Sequence, residues 1–238
     1  DVDFCTYGNE LFNITRYIEF RNLENMDLPS LKKRVNEYLG NVKESKVIIS
    51  NELLFGNPFF YMTNHFSNAQ ILKELFPTAK IIVTLRRQDH FIESVYQQSV
   101  RIGSRKKFNE YVNYKNGKYN DFNYNEFTNF EVEMLNYSKL LSVYRDLFGL
   151  ENMLVQPYEK LLVEPQFFID TLCSFMQVPS QQLVKSKSKV NSSYSNVSFF
   201  LRRFMNRFVI VGHSNGRGVF KLSPYREKLL QVYKKNKI

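Results

Sequence analysis

The chain has 238 residues, 43% hydrophobic and 24% charged, a balance that supports one large core and excludes a disordered chain. No apolar run approaches the roughly 20 residues that cross a bilayer, and the opening DVDFCTYGNE lacks the basic-then-apolar order of a secretory leader. The formal charge of +10 favours an anionic partner, but the cationic residues are dispersed, with clusters only at 101–107 and 234–237, which argues against a dedicated nucleic-acid groove.

In chain order, KVIIS (46–50) is a short apolar run that ends in Ser50, Asn51 and Glu52, and it predicts a buried strand. FSNAQILKELF (66–76) carries Ile71, Leu72, Leu75 and Phe76 at helical spacing before Pro77 stops it. KIIVTL (80–85) predicts a second strand, ended by Arg86 and Arg87, and a helix from about 89 to 102 follows at once. Residues 103–125 are rich in Asn, Tyr and Lys and lack periodicity; a loop of that length is a lid or a substrate-binding segment, or else a surface excursion. A long helix is expected over 127–149, closed by Gly149, then a strand in NMLVQPYE (152–159) and a helix over 165–176. No repeat and no linker divides the chain, so a single domain spanning 1–238 is expected. The alternation of strands and helices predicts an α/β fold with a parallel sheet covered by helices on both faces. Cys5 and Cys173 are too few for a disulfide framework or a metal site, and a reducing, cytoplasmic setting follows.

Ligands of such sheets sit at the carboxyl ends of the strands. There Arg86 offers a planar fork suited to two phosphate oxygens, beside the unpaired N–H groups of the next helix. Ser94 falls eight residues later, in the second turn of that helix. Arginine, hydroxyl and helix terminus together make a terminal-phosphate site. The competing reading is a solvated salt bridge from Arg86 or Arg87 to Asp89 or Glu93.

The spacing from Arg86 to Ser94 resembles the 3′-phosphate segment of sulfotransferases that use 3′-phosphoadenosine 5′-phosphosulfate (PAPS). The usual Arg-Asn/Asp-Pro is replaced here by Arg86-Arg87-Gln88. LKELFPTAKIIVTLR (72–86), NMLVQPYEKLLVEPQFFIDTLCSFMQVP (152–179), KVNSSYS (189–195) and PYREKLLQVYKKNK (224–237) are similar to family segments in the same order, so the resemblance covers about residues 46 to 238. It implies a three-layer, P-loop-kinase-like sheet and sulfuryl transfer without a metal to a hydroxyl or amine of a carbohydrate or small metabolite. It also implies that Arg86 and Ser94 hold the 3′-phosphate and that Tyr158 lies near the adenine, though a half-buried core tyrosine is the plainer reading of Tyr158. GHSNGRGVFK (212–221) resembles the late loop that returns to the 3′-phosphate, with Arg217 and Gly218 as its candidates; glycines around an arginine also let backbone N–H groups converge on an anion. The base position of the family falls in IISNELLF, which nominates Glu52, with His65 and His90 as alternatives. A Lys-x-Gly-Thr-Thr-like phosphosulfate cradle does not occur in these residues, and neither does GxxxxGK[ST]. The expectation is a fragment that lacks the first strand, loop and helix; the alternative is a homologue that has lost the cradle. A degenerate member that binds nucleotide without transfer, and a basic nucleic-acid-binding α/β protein, are the remaining competing functions.

Overall fold

The computed structural model describes residues 2–5, 10–18, 24, 26–60, 62–120, 130–183, 196–207, 209–210 and 220–221. The elements begin with β1 (Val2–Cys5), α1 (Glu10–Ile18), α2 (Leu28–Asn41), β2 (Lys46–Ile49), α3 (His65–Leu75) and β3 (Ile81–Leu85). Next come α4 (Gln88–Arg101), α5 (Phe108–Tyr111), β4 (Tyr114–Lys115), β5 (Lys118–Tyr119), α6 (Tyr137–Phe148) and β6 (Met153–Pro157). The last are α7 (Tyr158–Val163), α8 (Pro165–Met176), α9 (Asn196–Met205), β7 (Val209–Ile210) and β8 (Phe220–Lys221). The chain divides into two compact units, residues 1–85 with 132–181, and residues 86–131 with 182–238.

The first unit is an α/β assembly. β1 pairs with β2 in parallel from Val2↔Lys46 to Cys5↔Ile49, and β3 pairs with β6 in parallel from Ile81↔Met153 to Leu85↔Pro157. The expected parallel pairing is therefore present, as two two-stranded ladders among the described residues. β3 is also less enclosed than its apolar run predicts: Val83 is buried, whereas Ile82 and Thr84 are exposed, so one face of the strand rests on the core and the other opens. Leu11, Ile14 and Ile18 of α1, Leu31 and Val35 of α2, Ile71, Leu72 and Leu75 of α3, and Tyr144 and Phe148 of α6 form one core; Val47, Ile49, Ile81 and Met153 pack on it from the strands. The α1 side chains Leu11, Ile14, Thr15 and Ile18 all lie in the interior.

Local chemistry sets the helix ends. The Asp27 carboxylate accepts from the Ser30 N–H at 3.1 Å and starts α2, with Pro29 in its first turn. The long helix expected over 127–149 is shorter. Asn136 caps α6, its side-chain oxygen accepting from the Lys139 N–H at 3.2 Å, and residues 132–135 before it form a separate 3₁₀ turn. An asparagine inside an apolar pattern starts a helix here because its side chain satisfies an otherwise orphaned N–H.

In the second unit α4 buries Ile92, Val95, Tyr96, Ser99 and Val100. The Tyr96 ring meets Phe108, Tyr111 and Phe199 at centroid distances of 5.3, 5.2 and 5.4 Å. α9 closes the carboxyl end of α4: Arg202 donates to the Arg101 carbonyl at 2.6 Å, and Asn206, just past α9, donates to the carbonyls of Val100 and Ser104 at 2.8 and 2.9 Å. The Val100 carbonyl also accepts from the Gly103 N–H at 3.2 Å, and Ser104 lies past the helix, so α9 reinforces the end of α4. Asn206→Ala is expected to cost about 1–3 kcal/mol, because the Val100 and Ser104 carbonyls lose the donor that a buried amide supplies; chemical denaturation measures it, and an unchanged midpoint would assign the capping to Arg202 alone. The described part of the segment, 103–120, has more regular structure than its composition predicts. It contains α5 and a β4–β5 hairpin turned by Asn116 and Gly117, both at positive φ (54° and 80°). Asn-Gly is the hairpin signal that periodicity alone overlooks. Residues 121–125 lie outside the described residues.

Candidate functional site

β2 ends at Ile49, and Asn51 then caps a four-residue 3₁₀ turn, Glu52–Phe55, by accepting from the Leu53 N–H at 3.0 Å. Glu52 opens that turn with its side chain exposed. The alternative base His65 does not stand beside it as a second surface group. His65 is 5% exposed, its Nδ1 lies against the Phe55 carbonyl, and its Nε2 is 2.8 Å from the Leu140 carbonyl. Core hydrogen bonding occupies that ring. His90 is exposed in the first turn of α4.

Arg86 is the first residue past β3 and is half-buried; Arg87 caps α4 from an exposed position. The salt bridge weighed for the two arginines is made by Arg87, whose Nη2 and Nε lie 2.7 and 3.2 Å from the two carboxylate oxygens of Asp89. The His90 N–H donating at 2.9 Å, together with that guanidinium, holds the Asp89 carboxyl below the usual carboxylate range. Arg87 and one N–H of the α4 terminus are thereby engaged with Asp89. Ser94 is exposed in the second turn of α4, about 10 Å along the helix axis from Arg87 at about 1.5 Å per residue. Two residues on, the Tyr96 hydroxyl donates to the Lys106 carbonyl at 2.9 Å and accepts from Arg203 at 3.2 Å, a packing role.

Tyr158 is half-buried and begins α7 at the carboxyl end of β6. Arg217 and Gly218 lie outside the described residues. Glu52 and Tyr158 thus belong to the first unit, and Arg86 and Ser94 to the second. The net charge is unequally divided: residues 86–131 with 182–238 carry 21 Lys and Arg against seven Asp and Glu, a net +14, which leaves the first unit at −4. Among the described residues no group of three His, Cys, Asp or Glu side chains is placed to hold a metal ion, and no helix is long and apolar enough to cross a membrane.

Sequence reasoning missed the polar side chains beneath the Glu52 turn. Asn68 donates to the carbonyls of Leu53 and Leu54, both at 3.2 Å, and the Tyr144 hydroxyl donates to the Leu54 carbonyl at 2.9 Å. The available signal was Asn68 itself, which shares the 3–4–7 spacing of Ile71, Leu72 and Leu75; an amide on an apolar stripe has to find backbone partners inside.

Parallel strands joined by helices, with polar and cationic residues released at their carboxyl ends, are the plan of an α/β enzyme that handles anions there. The model of the sulfotransferase family matches residues 14–182, and the chain belongs to that family, a family of transferases. A crystal structure of a sulfotransferase from Alicyclobacillus acidocaldarius is similar over 86% of this chain and 81% of that chain, with 16% sequence identity and a TM-score of 0.52, a likeness of fold. No curated protein matches the chain.

Proposed function

We propose that the chain transfers a sulfuryl group from PAPS to a hydroxyl or amine of a carbohydrate or small metabolite, with 3′-phosphoadenosine 5′-phosphate (PAP) as the leaving product. The observation that carries this reading is Arg86. It is the guanidinium at the carboxyl end of a parallel strand, directly ahead of a helix, whose neighbour Arg87 already serves Asp89. Arg86 and the Ser94 hydroxyl grip the 3′-phosphate, Tyr158 flanks the adenine, and the family resemblance adds Arg217 and Gly218 as further phosphate-binding residues. The acceptor oxygen attacks sulfur in line as the bond from sulfur to the phosphate oxygen of PAPS breaks, and Glu52 takes the acceptor's proton. The step needs no metal ion. The charge of the second unit favours acidic substrates over neutral ones.

Among the described residues β2 pairs with β1 and β3 pairs with β6. The test is radiolabelled PAPS offered with a panel of glycans and hydroxylated metabolites: label in an acceptor supports the proposal. PAP binding without label in any acceptor favours a degenerate nucleotide-binding member. Equal response to PAP and to an unrelated oligonucleotide favours a nucleic-acid binder.

A further inference from the structure

We infer that His65, Asn68 and Tyr144 are positioning residues for the transfer step, holding the carbonyls of the Glu52–Phe55 turn so that Glu52 stands in one place; this rests on Glu52 being the base. The Leu53 carbonyl accepts from the Gly56 N–H at 3.1 Å, and the two carbonyls after it lie past that last bond of the turn. Here three consecutive carbonyls meet side chains from two helices. Asn68 of α3 serves Leu53 and Leu54, Tyr144 of α6 adds a second donor to Leu54, and His65 of α3 lies against Phe55. The entry to the turn is held in the same way, since the amide of Asn51, whose oxygen caps the turn, donates to Thr15 at 3.4 Å.

The rings close the arrangement. Phe55 meets His65 edge-on at 4.8 Å and stacks on Tyr144 at 5.3 Å, and His65 meets Tyr144 at 5.3 Å. Gly56 ends the turn at φ 127°, where a Cβ would come within 2.7 Å of Met62 Sδ and 3.3 Å of His65 Cβ. Any other residue would be strained at that φ and would have to displace the Met62 thioether.

Thr15 and Asn68 are 0% exposed, Tyr144 2% and His65 5%. Apolar residues of the same shape would fill the volume but take away the side-chain partners of the Leu54 and Phe55 carbonyls, so the polar set serves stability as well as position. Asn68 Oδ1 is buried with no hydrogen-bond partner among the described residues, an unfavourable feature retained while its Nδ2 grips two carbonyls. What the polar set achieves is directional. Hydrogen bonds to named carbonyls fix the position of the backbone, whereas apolar packing tolerates sliding. Burial also pushes the Tyr144 phenol above its usual range, so the hydroxyl stays protonated and donating across the working pH of an enzyme. Glu52 itself points outward, its side chain exposed and its backbone held from beneath. Misplacing a reacting group by about 1 Å costs on the order of 100-fold in rate, so such a support has a kinetic use.

Tyr144→Phe tests the inference because it removes one hydroxyl and keeps the ring. The expected result is kcat lowered about 10- to 100-fold, KM for donor and acceptor within about twofold, and amide exchange faster at 53–56 but unchanged along α3. Val35→Ala is the control: it opens the same core from α2, away from the turn, and should lower the melting temperature while leaving kcat within about twofold. On a Glu52→Gln background Tyr144→Phe should cost nothing more, because residues acting as one unit are not additive. Unchanged exchange at 53–56, a kcat that tracks the Val35 control, or a full multiplicative loss in the double variant each overturns the inference. A Glu52→Gln protein that turns over normally removes the base reading instead, which separates the two failures. His65→Gln, which keeps an amide donor in place of the ring, replaces Tyr144→Phe if that variant does not fold.

Discussion

Glu52→Gln is expected to lower turnover about 10²- to 10⁴-fold, the range that one general base contributes, with PAP affinity within about twofold of the unaltered protein. The expectation follows from where the turn places the group. Glu52 is the first residue past the Asn51 cap, at the carboxyl end of β2, with an exposed side chain on a backbone fixed by buried donors. Glutamine keeps the size and the hydrogen-bonding reach of the side chain but cannot take a proton at neutral pH, so binding should persist and only the chemical step should slow. His65 is no substitute, because its two ring nitrogens face the carbonyls of Phe55 and Leu140. If the loss appeared in PAP affinity instead, Glu52 would be a binding residue and the base would lie elsewhere.

Arg86→Ala should weaken PAP binding by about 2–3 kcal/mol, on the order of 30- to 150-fold in Kd, while leaving binding of AMP nearly unchanged. A guanidinium meets a phosphate through two charge-assisted hydrogen bonds, and AMP has no 3′-phosphate to receive them. Arg86→Lys should fall between, since it keeps the charge and loses the fork. Arg87→Ala is the internal control. That side chain is paired with Asp89 in solvent, where an ion pair contributes little, so its loss should move PAP affinity less than threefold. A loss at Arg87 equal to that at Arg86 would mean that the field of the helix terminus binds the phosphate rather than one side chain. Calorimetric titration of the three variants decides between them.

Much of the fold was legible because periodicity and punctuation agreed. The runs 46–50 and 80–85 became β2 and β3, Pro77 followed α3, and α8 occupies Pro165–Met176 as its spacing predicts. Where sequence reading failed, a local hydrogen bond overrode the apolar pattern. Asn136 started α6 within an apolar stretch, and Asn116–Gly117 built a hairpin where composition suggested only loop. The helices α1 and α2 lie ahead of the first strand the sequence reading recognised, although Leu11, Ile14 and Ile18 carry helical spacing and Asp27 with Pro29 marks a helix start. At the candidate site, the strand-end positions of Arg86 and Glu52 were legible because apolar runs end there in polar residues. The side chains under the turn were not, since their meaning depends on carbonyls distant in sequence: Tyr144 reaches Leu54 across 90 residues.

The central claim is that Arg86 grips a phosphate borne on the ribose, and an equilibrium titration of the unaltered protein with PAP and with AMP tests it most directly. PAP should bind at least tenfold more tightly than AMP, with the difference removed in Arg86→Ala. Equal affinity for the two nucleotides in the unaltered protein would contradict the account.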